Sequence, residues 1–236
     1  MTSVSDIVEE LRVLGSPSIK KALVNHGARE PFFGVKIADM KPIEKRLKPN
    51  YELARELYAT GISDAMYLAG LITDDMKMTR DDLQTWVAQA YWSLLSESTV
   101  PWVAASGRYG YELGQEWIGS KTDTIACAGW RTLSCLTLIT PDSKLKIQEY
   151  EALLNRVTTT IHQQLNRVRF AMNGFVIACG TNVIPLTDIA FQCAVEIGKV
   201  SVLMGNTACK VPFAPDSIAE AAARGTVGRK WKTAKC

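Results

Sequence analysis

From residue 5 to residue 224 the apolar side chains of this chain recur at intervals of three and four, the spacing that gathers them on one face of an α-helix. The clearest run follows Thr79-Arg80-Asp81-Asp82, a capping-box pattern, and puts Leu83, Trp86, Val87, Ala90, Tyr91 and Leu94 on one stripe. A chain so patterned buries its apolar surface by packing helix on helix, and the sequence predicts an all-α protein. Ser5 caps a first helix carrying Ile7, Val8, Leu11 and Leu14, a second spans 18–26 and stops at Gly27, and Pro42 starts a third that runs to Leu47. Asn50 and Ser63 cap the next two, on either side of Gly61, and further helices are expected over 102–106, 111–118, 123–139, 147–162, 167–179, 188–199 and 216–224. Strand signals are confined to 209–213 and 225–230, which are expected to pair as a small β-hairpin. Many short helices with short connections describe either a compact bundle or a stacked α-α solenoid, and no repeat period in the sequence separates the two.

At 236 residues, 47% hydrophobic and 22% charged, the chain can bury a core without disulfide or metal staples and is expected to fold throughout as one domain, 1–236. Its best apolar stretch, 170–179, is about half as long as the ~20 residues a membrane span requires. Asp6, Glu9 and Glu10 stand where a signal peptide would be basic, so the expectation is a cytoplasmic monomer that does not enter a membrane. Cysteines 127, 135, 179, 193, 209 and 236 form no CxxC pair, and all but the last read as reduced, buried thiols. His26 and His162 are too isolated for a zinc site, and neither metal nor cofactor is expected.

The net charge of +3 is unevenly placed. From Lys199 onward seven basic residues stand against two acidic ones, an excess of +5, which leaves the first 198 residues at −2. Neither residues 205–210 nor the glycines at 107, 110 and 114 have the spacing of a phosphate or dinucleotide loop, and no GxSxG elbow or Cys–His pair stands out. What remains is basic charge interleaved with aromatics: Arg167-Val168-Arg169-Phe170, Arg229-Lys230-Trp231-Lys232, and an amino-terminal group of Lys36, Lys41, Lys45, Arg46 and Lys48. Gathered on one concave face, such residues would neutralise phosphates and release counterions. The residues expected to contact DNA are Arg131, Arg167, Arg169, Lys199, Lys210, Arg229, Lys230, Lys232 and Lys235.

Phe33-Gly34-Val35, followed by Pro42-Ile43-Glu44-Lys45-Arg46, resembles the amino-terminal signature of the DNA alkylation repair (AlkD-like) proteins. Glu116-Trp117-Ile118-Gly119-Ser120 resembles the helix and turn that open one of that family's central repeats. The last sixty residues, through Val168-Arg169-Phe170-Ala171-Met172-Asn173, Ile197-Gly198-Lys199-Val200, Met204-Gly205-Asn206-Thr207-Ala208-Cys209-Lys210-Val211-Pro212 and Gly228-Arg229-Lys230, are more similar to the divergent AlkF/AlkG branch. The resemblance implies a superhelix of HEAT-like helical pairs with a basic concave face for duplex DNA and, in that branch, a preference for branched or distorted DNA.

Members that excise alkylpurines use, as the resemblance implies, an Asp, a Trp four residues before it and an Arg on a later helix. A carboxylate can stabilise the cationic sugar that develops as the glycosidic bond breaks, and an aromatic face attracts the charged base. In this chain those positions fall on Pro101, Glu97 and Gly129, with Arg131 two residues further on and on another helix face. No catalytic residue is therefore expected. The first expectation is a DNA-binding repair-family protein without glycosylase residues; the alternatives are a glycosylase with a rearranged site, for which Glu97 is the nearest carboxylate, and a helical protein-binding scaffold. Trp102, beside Pro101, reads as a core residue.

Overall fold

In the computed structural model, which describes residues 3–235, the first helix starts two residues before its sequence signal. Ser3 accepts a hydrogen bond from the Asp6 N–H while the Asp6 carboxylate accepts from the Ser3 N–H, a reciprocal cap that Ser5 cannot make because Val8 lies three residues after it. This helix, α1 (Val4–Leu14), is followed by α2 (Pro17–Asn25) and α3 (Ile37–Leu47). Pro42, expected to start α3, lies inside it. The missing N–H there deprives the carbonyl of Ala38, which is solvent-exposed, so water can take its place.

Asn50 caps α4 (Tyr51–Ala59) by accepting from Leu53 N, and α5 (Ser63–Ile72) follows. The capping box of Thr79 and Asp82 opens α6 (Arg80–Gln89), which stops short of the expected Leu94. Tertiary hydrogen bonds draw the next residues off the helical stripe: the Tyr91 hydroxyl donates to the carbonyls of Pro31 and Gly61, and Trp92 Nε1 donates to Ser63 Oγ at 2.8 Å. A π-helical turn, Leu95–Thr99, runs directly into α7 (Val100–Ser106). The chain then forms α8 (Gly110–Trp117), α9 (Asp123–Ile139), α10 (Ile147–Thr160), α11 (Asn166–Asn182), α12 (Thr187–Ile197) and α13 (Ala214–Ala223).

Helices α5, α7 with its π turn, α9 and α11 pack side by side as an inner layer, backed by α4, α6, α8, α10 and α12. This is the HEAT-like superhelix, and every residue of α5 is buried within it. One apolar cluster gathers the elements before α9 and a second gathers those after it; α9 belongs to both, giving Ala128 and Cys135 to the first and Cys127, Trp130 and Leu133 to the second. Trp102 is buried in the first cluster, as expected. At the crossing of α8 and α9 a Cβ on Gly129 would stand 2.6 Å from the Ile118 nitrogen, so the backbones meet there only because residue 129 has no side chain. Cys127, Cys135, Cys179 and Cys193 are buried as expected, Cys209 is exposed, and Cys236 lies outside the described residues.

No strand forms among the described residues, so the hairpin expected from 209–213 and 225–230 is absent. The donors of the second segment go to helix ends instead: Gly228 N donates to the Thr181 carbonyl at 2.9 Å, and just beyond it Trp231 N donates to the Leu138 carbonyl at 3.0 Å. Residues 228–235 thus form a strap across the carboxyl-terminal ends of the inner helices. Lys230 Nζ donates to the carbonyls of Thr137 in α9 and Asn182 in α11, at 2.7 and 2.6 Å, and pairs with Asp142 at 2.7 Å. Lys235 Nζ pairs with Asp75 at 2.7 Å beside the Thr73 carbonyl that ends α5. The last carbonyls of a helix have no donor of their own and carry its negative pole, so a lysine there satisfies both.

Two outcomes test this packing. Gly129→Ala should lower stability in urea unfolding, because about 1–3 kcal/mol of overpacking strain exceeds the ~1 kcal/mol that alanine gains in helix propensity. Burial pushes the Asp75 carboxyl up to about 6, against the opposing pull of Lys235. A carboxyl raised in the folded state binds its proton more tightly there than when unfolded, so its contribution to stability is present below about pH 4 and is lost as pH rises through about 6. Asp75→Asn should remove that fall from a stability profile measured between pH 4 and 7.

Candidate nucleic-acid interface

Pro101 shapes the centre of the inner layer. It has no N–H to offer the Glu97 carbonyl one turn back, and its ring would clash with that carbonyl in a regular α-helix. The widened π turn at Leu95–Thr99, closed by Val100 N donating to Leu95 O, accommodates the conflict. Arg131, reaching over from α9, donates its Nε to the freed Glu97 carbonyl at 3.1 Å. Arg167, in the first turn of α11, donates to both oxygens of the Glu97 carboxylate, Nε and Nη2 each at 2.7 Å. Two arginines from two helices therefore converge on one glutamate of a third.

Beside this hub lies a cleft of about 270 Å³, bordered by Trp92, Ser96, Glu97, Cys127 and Arg167 on the inner layer. His26 and Arg29 form one rim, and Leu203, Met204 and Gly205 form the other. The rims touch: Asn206 N donates to Asn25 O at 3.1 Å, and Asn166 holds Leu203 by both its N–H and its carbonyl. Within the cleft, burial pushes the Cys127 thiol far above its ordinary range, so it is no thiolate nucleophile near neutral pH. Asp123 sits exposed at the margin, where its carboxylate accepts from Thr124 N.

The structure separates the nine residues expected to contact DNA. Arg131 and Arg167 meet at Glu97, and Arg169 is half-buried with Nη2 on Asn166. Lys199 and Lys210 are exposed on the segment that follows α12. Arg229 and Lys232 are exposed on the strap, whereas the neighbouring Lys230 and Lys235 are held in its ion pairs. Arg167 and Arg169 lie in the first turn of α11 and Arg131 at the middle of α9, whereas the strap crosses the carboxyl-terminal ends of both helices, roughly 20 Å along α11 and roughly 12 Å along α9. The nine cations are thus divided, because ion pairs absorb three of them, Arg167, Lys230 and Lys235, and a fourth, Arg131, is spent on a backbone carbonyl. The amino-terminal group is also paired in part, Arg46 with Glu10 and both Lys41 and Lys48 with Glu44.

Sequence reasoning passed over Arg29 at the cleft rim and Lys77, Arg108 and Lys144, exposed in the loops along the strap edge. Each lies outside the basic and aromatic runs at 167–170 and 229–232 that mark most of the other candidates. At position 129, where the resemblance calls for an arginine, the contact with Ile118 leaves no room for any side chain. Pro101 and Glu97 are both buried.

The sequence profile of the DNA alkylation repair enzyme family matches residues 7–185. The uncharacterized protein Lin0241 of Listeria innocua and the uncharacterized protein Lmo0209 of Listeria monocytogenes are each 33% identical over 227 residues, 94% of this chain and 98% of theirs. A solved structure, described as a new family of proteins related to the HEAT-like repeat DNA glycosylases with affinity for branched DNA structures, is similar with a TM-score of 0.91 at 35% identity, over 99% of this chain and 100% of that one. The fold is that of the HEAT-like repeat proteins related to DNA glycosylases. This chain belongs to the DNA alkylation repair enzyme family.

If Glu97 is the hub, its partners should be coupled. Glu97→Gln should cost about 1–3 kcal/mol in urea unfolding by removing the charge that pairs with Arg167, and Arg131→Met a similar amount by leaving the Glu97 carbonyl unpaired. Combining Glu97→Gln with Arg167→Met should cost less than the two single changes together, since no unpaired charge is left behind.

Proposed function

We propose that this protein binds branched or otherwise distorted DNA through phosphate contacts and does not excise bases. The observation that carries the reading is the engagement of Glu97. The carboxylate nearest to the expected catalytic position is held by both arms of Arg167, and Pro101 and Gly129 supply neither acid nor cation. Loss of one electrostatic stabiliser of a transition state costs on the order of 3 kcal/mol, and here the acid, the aromatic and the arginine of the family pattern are all replaced. Support for branched DNA comes from the similar solved structure and the affinity described for it.

Lys199, Lys210, Arg229 and Lys232, exposed and outside the ion pairs, are the phosphate contacts in this reading. Arg131, Arg167, Lys230 and Lys235 serve by holding the helices that present them. Contacts of this kind read backbone shape and need no base code. The protein acts as a cytoplasmic monomer with DNA as its partner.

A gel-shift series in salt tests the reading, with a three-way junction and a duplex of equal length. Junction affinity should exceed duplex affinity, and both should fall with salt. The double variant Arg229→Ala/Lys232→Ala should flatten the log–log salt slope by roughly 0.9 per lost contact while unfolding as the wild type does. In the same series, release of 3-methyladenine or 7-methylguanine from methylated DNA should not exceed the spontaneous rate. Release abolished by Glu97→Gln would mean a rearranged glycosylase site, and absence of salt-sensitive DNA binding would favour the protein scaffold.

A further inference from the structure

The chain has six tryptophans, and five are buried: Trp86, Trp92, Trp102, Trp117 and Trp130 are 1–6% exposed. Trp231 is 60% exposed. It stands on the strap with its own N–H fixed to the Leu138 carbonyl and the flanking Lys230 locked to Asp142, so a rigid backbone presents an uncovered indole. The Arg229 guanidinium lies 5.8 Å from its ring centroid, and Lys232 follows it.

The loops on the same edge add charge. Lys77 follows α5, and Arg108 shares a shallow recess with it. Lys144 stands two residues from Asp142, the strap's own anchor. The nearby carboxylates of Asp75 and Asp142 are already neutralised by Lys235 and Lys230, so Lys77, Arg108, Lys144, Arg229 and Lys232 outnumber the acids beside them, Asp74 in the same loop as Lys77 and Glu52 at the recess that Lys77 shares with Arg108. The ends of successive inner helices thus carry a row of cations with one exposed aromatic among them.

We infer that this edge is a DNA-binding surface in which the row of cations follows a phosphate backbone and Trp231 stacks on an unpaired base at a branch point. Intact duplex stacks both faces of each base, whereas a branch leaves bases unstacked at the junction. An aromatic platform therefore discriminates between the two without hydrogen-bonding any base. The surrounding cations match a polyanion, and the engagement of Lys230 and Lys235 gives them a different role from their neighbours: they hold the platform still. This inference rests on the proposed binding of branched DNA and names the surface and the residue that would read the branch.

The test uses the full chain, a three-way junction with 2-aminopurine at the branch point, and a fully paired duplex of the same length. Because Trp231 is the exposed tryptophan, acrylamide quenching of the intrinsic fluorescence reports on it selectively. Junction binding should shield it and change the 2-aminopurine emission, and duplex binding should do neither. Trp231→Ala should lower junction affinity by about 5- to 100-fold, the range of one base–aromatic stack, and leave duplex affinity unchanged, while Trp231→Phe should retain most of the preference. Thermal melting of both variants at the wild-type temperature is expected, since the side chain lies at the surface.

If the wild type binds junction and duplex equally, or neither, the proposed function itself fails. If it prefers the junction but Trp231→Ala preserves that preference, or weakens both DNAs alike, the platform is overturned and the function stands.

Discussion

One carboxylate holds the inner layer together at its centre. Glu97 gives its two side-chain oxygens to Arg167 of α11 and its carbonyl to Arg131 of α9, so three successive inner elements meet at a single residue. The arrangement depends on Pro101, whose missing N–H releases the carbonyl that Arg131 takes, and on Gly129, which lets α8 close against α9. Replacing either arginine leaves the buried Glu97 with an unpaired oxygen. Glu97, Pro101 and Gly129 are thus parts of one structural joint.

The same economy governs the basic carboxyl terminus. An excess of positive charge invites a reading as a tail for nucleic acid, yet two of its lysines end on half-buried aspartates and on the last carbonyls of α5, α9 and α11. Helices that lie parallel in a layer bring their negative ends to one edge, and a cationic strap is a direct answer to that accumulation. The strap also crosses from the second apolar cluster to the first, where Ala234 packs, and so ties together two halves that otherwise share only α9 among the long helices. The cations left over are the ones free to meet a partner.

The family match ends at residue 185, before α12, the bridging segment, α13 and the strap. The similar solved structure covers nearly the whole chain. The elements beyond residue 185 are those that close one rim of the cleft through Leu203 and Asn206, that cap the inner helices, and that present Trp231. The cleft and the strap edge therefore owe their form to this carboxyl-terminal part as well as to the superhelix it covers.

The sequence by itself determined the helical class and the place of nearly every helix, because apolar period and caps are local properties. It ran α6 through Tyr91 and Trp92 and paired two terminal segments as strands, since there the deciding hydrogen bonds go to residues far along the chain; the first cap, misplaced by two residues, is a local bond between Ser3 and Asp6. Basic residues were countable in the sequence, but not their partners. Which cations remain free was decided by the tertiary structure alone, through carboxylates such as Glu97, Asp142 and Asp75 that fold up beside arginines and lysines 70, 88 and 160 residues away. Charge pairing depends on distance in space, and a sequence carries only distance along the chain.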